Sequence, residues 1–148
     1  MKEPEYKEVA FESAEYRETL LLRDEVLRKP LGIRFSADQL RTEHQDWHLA
    51  LFTGTACLAC CVLSRINGDT VKLRQMAVSP ALQGKKLGTK LLQEAECFAR
   101  EKGFSKVILH ARAYALPFYE KAGYQTRGGE FEEVGIPHYL MEKGVSDS

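Results

Sequence analysis

Residues 71–88 read VKLRQMAVSPALQGKKLG, and this stretch indicates a β-strand that ends at Pro80 and is followed by a helix with a first turn rich in glycine and lysine. The first N–H groups of a helix have no acceptor within the helix, and the aligned peptide dipoles leave about half a positive charge there. Small residues let an anion come close to the main chain. The stretch therefore predicts a site for a diphosphate group.

Three lysines, Lys85, Lys86 and Lys90, add positive charge to this turn. They could simply form a solvated helix start. However, a cation near a helix N-terminus is mildly unfavourable unless an anion binds beside it. We therefore favour phosphate binding.

The composition is typical of one globular domain over residues 1–148, with 44% hydrophobic and 28% charged residues. The 21 basic and 21 acidic side chains cancel, so the chain has no overall field that would attract nucleic acid or an anionic membrane. The N-terminal residues lack the apolar core of a signal peptide, and no apolar run reaches the roughly 20 residues that span a bilayer. We expect a cytoplasmic protein.

Cys57, Cys60 and Cys61 lie in one predicted strand, and Cys97 lies in a predicted helix. Strict strand alternation places Cys57 and Cys61 on one face and Cys60 on the other, so the three thiols would not converge on a metal ion. We expect core packing, reduced thiols and no metal site.

The N-terminal half predicts a strand over residues 6–11, and Ser13 is the predicted N-cap of a helix over residues 14–29. Ser36 is expected to cap a short helix over residues 38–43. Strands are predicted over residues 47–53, 56–64 and 70–78. Asn67-Gly68 predicts a hairpin turn, because both residues tolerate positive φ. These strands would form an antiparallel meander.

The C-terminal half predicts a helix over residues 86–102 and a nearly apolar strand over residues 106–111, which should run parallel to the strand over residues 70–78. A short helix over residues 115–122 and strands over residues 124–128 and 138–141 follow. The predicted fold is α/β: antiparallel N-terminal strands, then a parallel pair, flanked by about four helices.

A change from antiparallel to parallel pairing leaves a place where neighbouring strands diverge, which suits an extended ligand. The motifs RQMAVSPALQGKKLG and ARAYALPFYEKAGY lie on either side of this change. Together they resemble the GNAT superfamily of N-acetyltransferases, whose mixed sheet is splayed to hold acetyl-coenzyme A. The resemblance covers residues 47–141. The phrase EEVGIPH over residues 132–138 is most similar to a small bacterial branch of generic acetyltransferases.

The resemblance implies a pyrophosphate loop in which Gln83 and Gly88 match the ends of the family pattern. Lys86 stands where the family usually has glycine, which matters if the backbone there needs positive φ. The implied coenzyme contacts are Met76, Ala77, Val78, Gln83, Gly84, Lys85, Lys86, Leu87, Gly88, Thr89 and Tyr119.

The resemblance also implies direct transfer of the acetyl group to a primary amine of a small molecule. The Val78 N–H would stabilise the oxyanion, and Tyr119 would protonate the departing thiolate. His138 is the first candidate for the base and His110 the second, with Glu132 and Glu133 in the same region. Packing in the core is the alternative role for Tyr119 and for both histidines.

Arg112 stands where many family members have asparagine. With Lys86, this departure motivates an alternative function, a non-catalytic acyl-CoA sensor or interaction module. An unrelated nucleotide-phosphate binder is disfavoured, because the Walker and dinucleotide glycine patterns are incomplete. The resemblance further suggests a homodimer.

Overall fold

The computed structural model describes residues 3–32 and 40–146. Seven strands form one sheet in the order β1-β2-β3-β4-β5-β7-β6. Their bounds are β1 Glu5–Val9, β2 Trp47–Thr53, β3 Ala56–Arg65, β4 Thr70–Val78, β5 Lys106–Arg112, β6 Gln125–Glu133 and β7 Ile136–Gly144. The predicted mixed sheet is confirmed.

Three α-helices have bounds within the described residues: α1 Ala14–Arg23, α2 Leu87–Glu101 and α3 Leu116–Lys121. The expectation of about four is therefore slightly too high for this part of the chain. The helix predicted to start after Ser36 falls largely outside the described residues. The side chain of Ser13 accepts a hydrogen bond from the Tyr16 N–H at 3.1 Å, which confirms the predicted N-cap.

The first helix is shorter than predicted. It ends at Arg23, and a π-helical turn over Asp24–Arg28 and a 3₁₀ turn over Lys29–Leu31 follow it. The whole segment ends at Gly32, which has a φ of 68°. The spacing of apolar residues does not distinguish a continuous α-helix from the wider π-helical turn and the tighter 3₁₀ turn found here.

The chain forms two compact units, and the first contains Met1–Ser64 and Gln75–Ala95. Here β1 pairs antiparallel with β2, and β2 with β3. The buried core residues of one cluster are Val9, Tyr16, Leu22, Ala50, Phe52, Cys60 and Ala77.

A buried ion pair lies in this first unit. Arg23 donates from Nη1 and Nη2 to the two carboxylate oxygens of Glu43 at 2.8 and 2.7 Å, and the Tyr16 hydroxyl donates to the same carboxylate at 2.8 Å. Burial alone would raise the pKa of Glu43, but the hydrogen bond and charge of Arg23 outweigh it and lower that pKa. Burial and the bond to Glu43 raise the pKa of Tyr16.

The strand alternation expected for the cysteines is wrong because β3 contains a bulge. Cys57 pairs with Phe52 and Ala59 with Leu51, so Leu58 is an extra residue in the ladder. The bulge brings Cys57 onto the same face as Cys60, leaving Cys61 on the other face. Within the described ranges, no group of three or more His, Cys, Asp or Glu residues could hold a metal ion.

The second unit contains Arg65–Arg74 and Glu96–Ser148. Thr70–Leu73 of β4 pairs with Lys106–Leu109 of β5 in parallel, as predicted. The β7 strand pairs antiparallel with both β5 and β6. None of the described helices is long and apolar enough to cross a membrane.

Two turns of the second unit differ from their predictions. Neither Asn67 nor Gly68 has a positive φ; instead, the Asn67 side chain accepts hydrogen bonds from the Asp69 and Thr70 N–H groups, each at 3.0 Å. The two-residue turn with positive φ at both positions is Val134 (47°) and Gly135 (74°). It joins β6 to β7 and lets both strands extend beyond their predicted ends.

Candidate active site

The C-terminal part of β4 departs from regular strand geometry at Gln75. The parallel pairs with β5 run from Thr70 to Leu73 of β4, and the strand continues to Val78. Gln75 has a φ of 55°, in the left-handed region that residues other than glycine rarely adopt. The three predicted coenzyme contacts Met76, Ala77 and Val78 therefore directly follow a backbone irregularity.

Two hydrogen bonds within the first unit hold this irregular segment. Arg28, at the end of the π-helical turn, donates from Nη2 to Gln75 Oε1 at 3.1 Å. The Ser79 N–H donates to the carbonyl of Leu58, the extra residue of the β3 bulge, at 2.8 Å. The position of the chain at the end of β4 is thus tied to two other irregular elements.

The predicted phosphate loop follows as a 3₁₀ turn over Pro80–Leu82 and the start of α2. The Lys90 N–H donates to the Lys86 carbonyl at 3.0 Å, so the helical ladder begins with this bond. The N–H groups of Leu87, Gly88 and Thr89 come before it and have no acceptor within the helix. The Lys85 N–H donates to the Leu82 carbonyl at 3.2 Å, so Lys85 would contact a phosphate through its side chain.

Lys86 has a φ of 63°, and Gly84 has a φ of 86°. The lysine therefore adopts the conformation for which glycine is preferred, which costs an ordinary residue about 1–2 kcal/mol. Its side chain is exposed, as is that of Lys85, and the first turn of α2 contains no acidic residue. The turn thus presents free amides and uncompensated positive charge to solvent.

Tyr119 lies on α3 in the second unit and is buried. Its ring makes edge contacts with Phe118 and Tyr124, at centroid distances of 4.9 and 5.8 Å. The Tyr124 hydroxyl donates to Glu96 at 2.9 Å, which fixes the neighbouring ring. Tyr119 is thus held in one orientation by aromatic packing.

The structure brings together three of the four candidate bases. His110 Nδ1 is 3.0 Å from Glu133 Oε1, and His138 Nε2 is 3.6 Å from Glu133 Oε2. The ring of Phe131 packs against both histidines. Glu132 is one residue away from Glu133 on β6, so its side chain is on the opposite face of the strand.

The two histidines differ in access and in bonding. The His138 side chain is only 3% exposed, and its Nδ1 lies 2.8 Å from the Ile136 carbonyl. The His110 side chain is 28% exposed. Burial raises the pKa of Glu133, but the hydrogen bond and charge of His110 outweigh it and hold that pKa below its usual value.

Sequence reasoning missed Lys72, whose Nζ lies 3.3 Å from His110 Nδ1. The contact could have been predicted, because residues 72 and 110 alternate with the apolar positions of two strands that were predicted to be parallel. Both side chains could therefore lie on the same face of the sheet. It missed the left-handed Gln75 as well, and a glutamine within a strand pattern gives no indication of that conformation.

The chain matches the family model described as "Acetyltransferase (GNAT) domain" over residues 33–145. It belongs to the GNAT acetyltransferase family. Among curated relatives, the Bacillus subtilis protein named "Putative acetyltransferase BSU40680" is 35% identical over 112 residues, which cover 72% of each chain. The B. subtilis protein YyaT is 39% identical over 83 residues, and this match spans 56% of each chain.

Solved GNAT structures share the fold. An acyl-CoA N-acyltransferase from Pseudomonas aeruginosa superposes with a TM-score of 0.82 and 21% identity, covering 95% of this chain and 99% of its own. A GNAT family acetyltransferase from Elizabethkingia anophelis, solved with acetyl-CoA bound, superposes with a TM-score of 0.74 and 16% identity, covering 97% of this chain and 99% of its own.

Proposed function

We propose that this GNAT protein transfers the acetyl group of acetyl-CoA to a primary amine of a small molecule. The observation that carries the proposal is the start of α2, where Lys86 takes the backbone conformation of a glycine and the next three N–H groups have no acceptor within the helix. An anion-binding turn of this kind suits the pyrophosphate of a coenzyme. The relative solved with acetyl-CoA supports the choice of that coenzyme.

In the proposed complex, the amides of Leu87, Gly88 and Thr89 bind the pyrophosphate, and the side chains of Lys85 and Lys86 add charge. The remaining loop contacts, Gln83 and Gly84, shape the turn. Main-chain groups of Met76, Ala77 and Val78 bind the pantetheine arm. Because most of these contacts come from the backbone, the lysine at the glycine position is compatible with coenzyme binding.

The proposed reaction is a direct transfer. The amine nitrogen attacks the thioester carbon, and a C–N bond forms while the carbonyl oxygen takes up negative charge. The Val78 N–H is the proposed donor to this oxygen, a role worth about 3 kcal/mol in other enzymes. The C–S bond then breaks, and the thiolate takes a proton from Tyr119. A base accepts the proton that the amine loses.

We assign the base to His110, with Glu133 as its positioning residue. If His110 donates its Nδ1 proton to Glu133, the lone pair lies on Nε2, and Nε2 is the atom that can accept a proton. His138 is the second candidate. Its Nδ1 donates to the Ile136 carbonyl, so the remaining nitrogen faces the Glu133 carboxylate rather than a ligand.

The test is release of the CoA thiol from acetyl-CoA in the presence of a broad panel of amines. We expect amine-dependent release, and we expect His110→Gln and Tyr119→Phe each to lower kcat by about 10²- to 10⁴-fold. Matched controls are His44→Gln and Tyr114→Phe, which alter an exposed histidine and a 75% exposed tyrosine. Both controls should retain wild-type rates.

Calorimetry with CoA separates the two candidate functions. Binding of CoA without thiol release for any amine would favour the acyl-CoA sensor over the enzyme. Absence of CoA binding at millimolar concentration would contradict both.

A further inference from the structure

One face of the second unit carries an excess of positive charge around His110. Strand alternation places Lys72 and Arg74 of β4 on the same face as His110 and Arg112 of β5. The Glu133 carboxylate contacts this group through His110. Glu142 shares the face but is engaged elsewhere, with Arg127 at 2.6 Å and Lys106 at 3.6 Å. Three cationic side chains thus share this face with His110, which contacts Glu133.

Lys72 is the cation on this face that contacts His110. Its side chain is half-buried, and its hydrogen-bond contact is His110 Nδ1 at 3.3 Å. It forms no ion pair with a carboxylate of residues 3–32 or 40–146. Burial and then the charge of Arg74 lower the pKa of Lys72, while Glu133 acts in the opposite direction.

The contact between Lys72 and His110 competes with the one between His110 and Glu133. A ring nitrogen either carries a proton and donates, or carries a lone pair and accepts. If Nδ1 donates to Glu133, Lys72 has no acceptor there. If Nδ1 accepts from Lys72, its lone pair also faces a carboxylate oxygen at 3.0 Å. An anion beside Lys72 would remove this conflict, because the ammonium group would then have an acceptor of its own.

We propose that the acceptor is an amine that also carries an anionic group, and that Lys72, with Arg74 and Arg112, binds this group beside His110. The inference rests on the proposed function. It deepens that function, because it names the class of acceptor: a carboxylate or a phosphate joined to a primary amine by a short linker. A partly buried cation that has no carboxylate within ion-pair distance among the described residues is unfavourable, and a substrate anion could bind it directly.

Matched pairs of amines test this inference in the thiol-release assay. The carboxylate arm compares γ-aminobutyrate with propylamine and phenylalanine with phenethylamine, and the phosphate arm compares phosphoethanolamine with ethanolamine. In at least one arm, we expect kcat/KM to be about tenfold or more higher for the anionic member, as for a hydrogen bond to a charged group. The arm with the larger ratio identifies the anion.

Variants test whether Lys72 is responsible for the higher kcat/KM of the anionic amines. Lys72→Met should lower the ratio severalfold, because only Arg74 and Arg112 then remain to bind the anion, and Lys72→Arg should preserve it. Lys106→Met is the matched control, because Lys106 lies on the same face of β5 but four residues before His110, about 13 Å along the strand, and its ammonium group is 3.6 Å from Glu142. The control should retain the wild-type ratio. The wild-type comparison requires no variant, so it decides the inference even if Lys72→Met does not fold.

The outcomes separate this inference from the proposed function. Neutral amines that react as well as anionic ones, or an unchanged ratio in folded Lys72→Met, would overturn the inference alone. Failure of every amine, in protein that binds CoA, would overturn the proposed function and the inference with it.

Discussion

Lys86 shows how one residue can satisfy a backbone requirement that its side chain disfavours. The sequence placed it at a glycine position of the family pattern, and the structure gives it a φ of 63°. The need for positive φ could thus be anticipated from the resemblance. Gln75 has a comparable φ of 55° but matches no motif position where glycine is expected, so nothing in the sequence predicted it.

We predict that Lys86→Gly stabilises the fold. Relief of about 1–2 kcal/mol of left-handed strain exceeds the 0.5–1 kcal/mol that glycine loses in backbone entropy, so the free energy of unfolding should rise by roughly 0.5–1 kcal/mol. Urea denaturation measures this change. Lys85→Gly is the control, because Lys85 has no positive φ and should lose stability. An equal loss in both variants would contradict the strain argument.

At the scale of elements, the hairpin between β6 and β7 has a two-residue turn with positive φ at both positions. This geometry was predicted for Asn67-Gly68 instead. Val134 is a β-branched residue with a φ of 47°, and it is 50% exposed. A two-residue turn of this type favours Asn-Gly. The Asn67-Gly68 pair instead makes its turn through side-chain hydrogen bonds, because asparagine can satisfy the nearby N–H groups directly.

Val134→Asn should therefore stabilise the hairpin. The change removes a strained β-branched residue, gains about 1 kcal/mol or more, and loses little packing from an exposed side chain. Thermal unfolding followed by circular dichroism should show an increase in Tm. The control Val145→Asn changes a valine that is only 4% exposed and should lower Tm. A lower Tm for Val134→Asn would show that the turn tolerates valine without strain.

The Arg23–Glu43 pair connects α1 with the turn that precedes β2. Breaking a buried ion pair by removing one charge typically costs about 3–5 kcal/mol, so Glu43→Gln should be strongly destabilising at pH 7. The pKa of Glu43 is lowered in the folded state. The stabilisation it provides is therefore fully present above its unfolded pKa of about 4.3, and it is lost as the pH falls through the lower folded value.

Urea denaturation of wild type and Glu43→Gln at pH 7, 5 and 3.5 tests this dependence. The difference in unfolding free energy should be similar at pH 7 and 5 and smaller at pH 3.5. Glu15→Gln, which breaks the more exposed pair with Lys7, is expected to be much less destabilising at pH 7, because solvent screens an exposed pair. A difference for Glu43→Gln that grows as the pH falls would contradict the assigned shift.

At the scale of the whole molecule, positive and negative charges balance. With 21 basic and 21 acidic side chains and an isoelectric point near 6.9, the protein has little net repulsion between copies at neutral pH. We predict a solubility minimum near pH 7 in low salt and a weaker pH dependence in 0.5 M NaCl, where surface charges are screened. Precipitation with polyethylene glycol across pH 5.5–8.5 measures it. A maximum near pH 7 would contradict the prediction.

The parallel pairing of β4 with β5 was predictable from the sequence, whereas the position of β7 between β5 and β6 was not predicted. The grouping of polar residues around His110 was only partly predictable. Alternating strands, an amphipathic helix and an apolar strand dictate an antiparallel start and a parallel crossover. The contact of His110 with Glu133 depends instead on the register between β5, β7 and β6. The Val134-Gly135 turn sets the pairing of β6 with β7, and the sequence pattern did not reveal its geometry.

The contrasting environments of the cysteines make the unmodified protein suitable for fluorescent labelling. Cys60 and Cys61 are buried, with thiol pKa values raised above their usual range, whereas Cys97 is exposed on α2. A maleimide dye should react first at Cys97 and more slowly at the half-buried Cys57. Cys97 is ten residues after Leu87, about 15 Å along the helix axis, so the dye would report on α2 without an engineered attachment point.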